Sequence, residues 1–250
     1  MAIMLRSPEE VEKLRASNRA VALVMKELRK VVKAGVTTLE LDALAEKLLL
    51  DMGAKPAFKG YRGYRHTICA SVNEEVVHGI PSKRKLKEGD IISIDIGAKL
   101  NGYYGDHAAT LPVGQVSGAA RRLIRCCEQA LVRGIEKARS GNRLFDISHA
   151  IQAHAEEAGF SVVRAYVGHG IGTNLHEEPQ VPNFGDPGTG PELKPGMVLA
   201  IEPMLNAGVA DVKVLGDEWT VVTADSKLSA HFEHTLAISD DGPDVLSLAS

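Results

Sequence analysis

Residues 91–111, IISIDIGAKLNGYYGDHAATL, read as two strands joined by a tight turn, with an acid in each strand. Ile91, Ile92, Ile94 and Ile96 give the first strand the β-branched character that suits extended backbone. Leu100-Asn101-Gly102 makes the turn, and Tyr103 to Leu111 returns. Asp95 and Asp106 lie inside these apolar runs, where an ionised carboxylate is costly unless it is paired or coordinated. A four-residue loop over 99–102 sets Asp95 opposite Asp106. A two-residue Asn-Gly loop sets Asp106 opposite Gly97, one diagonal away. Both registers leave the carboxylates on one face, with cross-strand neighbours about 5 Å apart. Like charges at that separation repel, and a cation is the natural compensation.

Outward from this hairpin, the pattern occurs twice. Ser7-Pro8-Glu9-Glu10 is a capping box with proline at the first helical position, and Val11, Leu14, Val21, Val24, Met25, Leu28 and Val32 follow at helical spacing. Gly35 is the expected stop. Thr37 and Glu40 open a second helix that stops at Gly53. Helical sequence around 118–139 ends at Gly141, and another helix ends at Gly159, each 106 positions after its counterpart. KEGDIISID, ending at Asp95, is matched 107 positions later by KPGMVLAIE, ending at Glu202. Asp106-His107 is matched by Glu233-His234. Landmarks in one order at nearly constant spacing indicate duplication. The expectation is one domain, 1–250, built of half-domains of about 1–110 and 111–250 related by a pseudo-twofold axis. Such packing brings Asp95, Asp106, Glu202 and Glu233 to the centre, and four negative charges match two divalent ions.

Composition sets the class. Over 250 residues, 44% hydrophobic and 24% charged is ordinary for a globular protein, and a net charge of -3 points to no polyanionic partner. Three cysteines, Cys69, Cys126 and Cys127, make a poor disulfide framework and suggest a reducing compartment. Neither an apolar leader nor a run of about 18 apolar residues is present, so a soluble cytoplasmic protein is expected. Glycines frame His169 in Gly168-His169-Gly170-Ile171-Gly172, which permits close approach of chain and ligand and makes His169 the best imidazole candidate for a metal. His78 and His176 lie in similar loop-like settings. No phosphate loop, nucleophile elbow, Cys-x-x-Cys pair or His-Glu-x-x-His helix occurs.

Together these strings resemble the type I methionine aminopeptidases of the M24 metallopeptidases, in their bacterial-like short form. The carriers are ICASVNEEVVHGIP (68–81), GDIISIDIG (89–97), GYYGDHA (102–108), GHGIG (168–172), LHEEPQV (175–181), AIEPM (200–204) and FEHT (232–235). The resemblance implies an α+β pita-bread fold, a curved antiparallel sheet with helices on its outer face and pseudo-twofold symmetry. It implies that Asp95 chelates one metal, that Asp106 and Glu233 bridge two, and that His169 and Glu202 complete the second site. The ions would be Mn, Fe(II), Co or Zn. Glu202 would shuttle a proton, and His78 and His176 would face the substrate and act on it. Tyr61, Tyr64, Cys69, Leu175 and Trp219 would surround a methionine side chain, with Phe58 and Leu175 departing from the residues often found at those positions. The implied activity is removal of the N-terminal methionine from nascent polypeptides with a small second residue. A monomer is expected, with the ribosome as a candidate partner and neither nucleic acid nor membrane. The nearest alternative is a proline-specific aminopeptidase or prolidase, which uses the same five ligands.

Two histidines depart from the family pattern: His107, where a small polar residue is usual, and His231, where glutamine is usual. Strand residues two apart share a face. His231 is therefore expected to point with Glu233 toward the metals, as a supporting donor or cleft residue rather than a sixth ligand. The bland alternative puts it in solvent at the cleft rim. His234 and His107 are expected behind the sheet.

Overall fold

The computed structural model describes residues 2–249. Its first half runs α1 (Pro8–Val31), α2 (Thr38–Asp51), β1 (Lys55–Pro56), β2 (Ile68–Val72), β3 (Glu75–Val77), β4 (Ile91–Leu100) and β5 (Tyr103–Pro112). The second half opens with α3 (Gly118–Lys137) and α4 (Leu144–Glu157), then β6 (Ser161–Val162), β7 (Gly168–Gly170), β8 (Glu177–Val181) and β9 (Val198–Ile201). It closes with β10 (Met204–Asn206), β11 (Val212–Val214), β12 (Val221–Thr223), β13 (Ser229–His231), β14 (Glu233–Ser239) and β15 (Gly242–Val245). Both α2 and α4 are 14 residues long, and their first residues, 38 and 144, lie 106 apart. Among the described residues, no helix is long and apolar enough to cross a membrane.

Local chemistry starts the helices where expected. Glu10 N–H donates to Ser7 Oγ at 3.3 Å, and Ser7 N–H donates to the Glu10 carboxylate at 2.9 Å. The Thr37–Glu40 box forms in the same way. One boundary differs: α1 stops at Val31, and Gly35 sits beyond it in a turn at φ +93°.

The main sheet has nine strands, and its centre reads β4-β5-β14-β9-β7. Of the two hairpin registers, the chain adopts the two-residue one. Leu100 faces Tyr103, Gly97 faces Asp106 and Asp95 faces Ala108. Asn101 (φ +52°) and Gly102 (φ +87°) both take the left-handed conformation that such a turn needs. The far edge of β5 pairs with β14, setting Ala108 against Glu233 and His107 against His234. β14 pairs with β9, which ends one residue before Glu202, and β9 pairs with β7 at His169. Three strands and the end of a fourth thus carry the four acids, with the imidazole on the next. Behind them, Ile92, Ile94 and Ile96 join Val21, Val24, Met25 and Leu28 of α1 in the apolar core.

Helix α1 also carries two buried polar residues on its packed face. Ser17 Oγ donates to the Tyr103 carbonyl at 2.9 Å, and Asn18 Oδ1 accepts the Asp106 N–H at 3.2 Å. This approach is possible because residue 105 is glycine. A Cβ there would lie 2.6 Å from the Asn18 nitrogen and from the Ser17 carbonyl carbon. Gly105→Ala should therefore cost about 1–3 kcal/mol in urea unfolding. Gly118→Ala, in open space, should change stability by less than about 0.5 kcal/mol. Equal effects of the two would show that α1 can lift freely from β5.

Candidate metal centre

Asp106, His169 and Glu233 are buried and offer ligand atoms that all lie within 4.8 Å of one another. Glu202 and Asp95 complete the group. His169 Nε2 is 3.6 Å from Glu202 Oε1 and 3.9 Å from Asp106 Oδ2. Each side chain is aimed by its backbone. The Asp106 N–H is held by Asn18, and its carbonyl accepts the Thr235 hydroxyl at 2.9 Å. His169 Nδ1 donates to the Gly170 carbonyl at 2.9 Å, which leaves the Nε2 lone pair facing the acids. The flanking glycines allow this crowding: a side chain at 168 would strike the Ala200 carbonyl, and one at 170 the Glu178 carbonyl.

Desolvation dominates the electrostatics. Burial pushes Asp95 up to about 7, with the charge of Glu202 adding to the rise, and pushes Glu202 up to about 8. Burial raises Asp106 and Glu233 well above the carboxylate range, and repulsion from the neighbouring acids adds to it. His169 is driven down to about 3 by burial and the nearby His176. Neutral imidazole beside acids that resist ionisation is a site with donors to spare. Asp95 Oδ1, Glu233 Oε1 and His231 Nε2 are buried with no hydrogen-bond partner. Unpaired buried oxygens of this kind are rare without an ion or water to satisfy them. A set of carboxylate oxygens with one imidazole fits divalent cations of the Mn, Fe, Co and Zn group.

A cavity of about 290 Å³ is lined by these acids and by the apolar group of Phe58, Tyr64, Cys69, Leu175 and Trp219. Tyr61, His78, Tyr166 and His176 also line it. His176 Nδ1 is 2.9 Å from the Tyr61 hydroxyl, and its ring centre is 4.3 Å from that of His169. His78 has φ +60°, an uncommon conformation for a non-glycine residue, and meets Tyr166 edge-on at 5.5 Å. Burial drives its imidazole down to about 4. The Cys69 thiol is pushed up by burial and by Asp95, which makes it an inert wall rather than a nucleophile.

The two unusual histidines separate by face. His231 is 1% exposed, and its Nε2 lies 3.6 Å from Glu202 Oε2, so the solvent-facing alternative does not hold. His107 and His234 stack behind the sheet with ring centres 4.8 Å apart. His107 Nδ1 donates to the Glu233 carbonyl at 2.6 Å. Sequence reasoning missed Asn18 and Thr235, which hold Asp106. It also missed Asp42, whose carboxylate accepts N–H groups from Thr67 (2.8 Å) and Ile68 (3.0 Å) and contacts His66 at 3.0 Å. That network fixes the segment that carries Tyr64. The available signal was a polar residue on a packed helix face: Asn18 beside Leu14 and Val21, and Asp42 beside Leu41 and Ala45.

The model of metallopeptidase family M24 matches residues 12–240. Methionine aminopeptidase 1 of Bacillus subtilis is 57% identical over 245 residues, covering 98% of this chain and 99% of that one. The crystal structure of methionine aminopeptidase from Thermotoga maritima superposes with a TM-score of 0.97 at 47% identity, covering 99% of this chain and 100% of that one. The prolidase from Pyrococcus furiosus shares the fold at a TM-score of 0.79 and 23% identity, and 66% of its chain is covered against 98% of this one.

Cation binding should be visible without any assay of turnover. Adding Mn²⁺ to chelator-treated protein at about 100 times its dissociation constant should raise Tm by roughly 5–10 °C. Asp106→Asn should lose most of that shift. An unchanged Tm with Mn²⁺, Co²⁺, Fe²⁺ and Zn²⁺ alike would rule out a cation site here.

Proposed function

The chain belongs to metallopeptidase family M24, and we propose that it works as a methionine aminopeptidase, a metal-dependent hydrolase that removes the initiator methionine from nascent polypeptides. The observation that carries this is one cavity lined both by the acid cluster and by the apolar group of Phe58, Tyr64, Cys69, Leu175 and Trp219. The apolar group accepts one unbranched, polarisable side chain, and sulfur–aromatic contact with Tyr64 and Trp219 favours methionine. Two ions, of Mn, Fe(II), Co or Zn, are our reading of the donor set. Asp95 would hold one, His169 and Glu202 the other, and Asp106 and Glu233 would bridge both. When bound, the ions supply Lewis acidity, lowering the pKa of a coordinated water and polarising the scissile carbonyl.

The protein's own groups do the rest. Glu202, whose Oε1 lies 3.6 Å from His169 Nε2 at the edge of the cluster, would relay a proton to the departing amine. His176 Nδ1 lies 2.9 Å from the Tyr61 hydroxyl; in our reading the hydroxyl donates, and His176 carries its proton on Nε2. From there it donates a hydrogen bond to the carbonyl oxygen as negative charge develops. His78, kept neutral by burial, orients the chain beyond the cleaved bond. Tyr64, Cys69 and Trp219 exclude water from the methionine side chain. Action on nascent chains would put the enzyme in the cytoplasm with the ribosome as a partner, and three free, buried cysteines suit a reducing compartment.

Met-Ala-Ser should be cleaved and Ala-Pro-Ala left intact. His176→Ala should lower kcat on Met-Ala-Ser by about 10²–10³-fold with a small change in KM. Efficient cleavage of Ala-Pro-Ala without cleavage of Met-Ala-Ser would place the chain among the proline-specific members of the family.

A further inference from the structure

The loop from β7 to β8 carries Leu175, a wall of the methionine pocket, and His176. It is tied to the far end of the chain. Arg6, just before α1, is 8% exposed, and its N–H donates to the Gly196 carbonyl at 2.7 Å. Its guanidinium donates to Glu177 Oε2 and lies against Gly172, where any side chain would collide with it. The other oxygen, Glu177 Oε1, accepts the Asn174 N–H at 2.9 Å and the Thr173 hydroxyl at 3.3 Å. Gly172 in turn accepts the Tyr104 N–H at 2.9 Å and donates to the Asn174 carbonyl at 3.1 Å. Ala2 and Met4, from the same N-terminal segment, line a cavity of about 510 Å³ that shares Tyr61, Leu175 and His176 with the methionine pocket.

We propose that Arg6 and Glu177 are a positioning pair for the catalytic loop: Arg6 fixes the Glu177 carboxylate, and Glu177 fixes the backbone at Asn174 and so the places of Leu175 and His176. The inference rests on the role given to His176 above. An apolar pair would fill the same space but could not hold the Asn174 N–H. A carboxylate deprived of its guanidinium would turn toward water and release the loop. Gly172 belongs to the device, because its missing side chain is the space the guanidinium occupies.

The test compares Arg6→Met, Arg6→Lys, Gly172→Ala and His176→Ala, and the double variant Arg6→Met/His176→Ala, in the full chain. Rates on Met-Ala-Ser are read beside Mn²⁺ affinity by calorimetry and the imidazole resonances of ¹⁵N-histidine-labelled, metal-free protein. Arg6→Met and Gly172→Ala should each lower kcat about tenfold, with a smaller rise in KM and unchanged Mn²⁺ affinity. Arg6→Lys should restore most of the rate. The His176 resonances should move in both slow variants. The double variant should be no slower than His176→Ala alone. Full additivity in the double variant, or unmoved His176 resonances in a slow single variant, would reduce Arg6 to a stability role and overturn the proposal. Wild-type kcat in a folded Arg6→Met would do the same. Wild-type kcat in His176→Ala would overturn the proposal and the reading of His176 together. Should Arg6→Met fail to fold, Gly172→Ala, which keeps both charges, carries the same comparison.

Discussion

Four carboxylates withdrawn from water onto one face of a sheet are the constraint to which the rest of the structure answers. Desolvation and mutual repulsion both oppose their ionisation, and each raises the acids in this cluster. Such a group stays together only if the backbone beneath it cannot relax. The chain supplies that rigidity from several directions. The Asn101-Gly102 turn locks the β4–β5 register, Asn18 and Thr235 hold the N–H and the carbonyl of Asp106, and His107 holds the carbonyl of Glu233 from behind. Glycines at 105, 168 and 170 remove the side chains that would keep these elements apart. The apolar core under β4 and α1 is the counterweight, because burying Ile92, Ile94 and Ile96 on one face forces Asp95 to the other.

Features governed by nearest neighbours were legible in the sequence. Capping boxes, the tight hairpin and the alternation of faces along β5 and β14 depend on residues within a few positions of one another. The structure forms all three. His231 does face the acids, but not through the periodicity of one strand: it ends β13 and Glu233 opens β14, and the two strands belong to different sheets. Nothing in residues 229–235 reveals that Glu202 and Met204 close over it, with Met204 paired to it across the strands. The hairpin illustrates the same limit, since composition allowed two registers and only the realised turn chose between them.

What stayed hidden is long-range polar contact. Arg6 looks like an ordinary residue before a helix cap, and its partner lies 171 positions away. Asp42 reads as a solvated acid on α2, yet it holds the segment that carries Tyr64. Each is a hydrogen-bonding side chain inside an element whose pattern is otherwise apolar. A polar residue that interrupts a packed face is therefore a pointer to an unseen partner. The partner's identity is a matter of tertiary structure and has no local signature.

The joint between β5 and β14 has a consequence for the molecule's own synthesis. β5 is complete by residue 112, but the strand that covers its outer edge begins at Glu233. For more than a hundred residues of translation, the finished hairpin exposes a row of unpaired amide and carbonyl groups, the template on which foreign strands add. Asp106, on β5 itself, sets an acidic side chain on that open strand, and charge on an edge strand disfavours the docking of a foreign one. The arrival of β14 closes that edge and brings Glu233 beside Ala108, completing the strand order at the centre of the sheet.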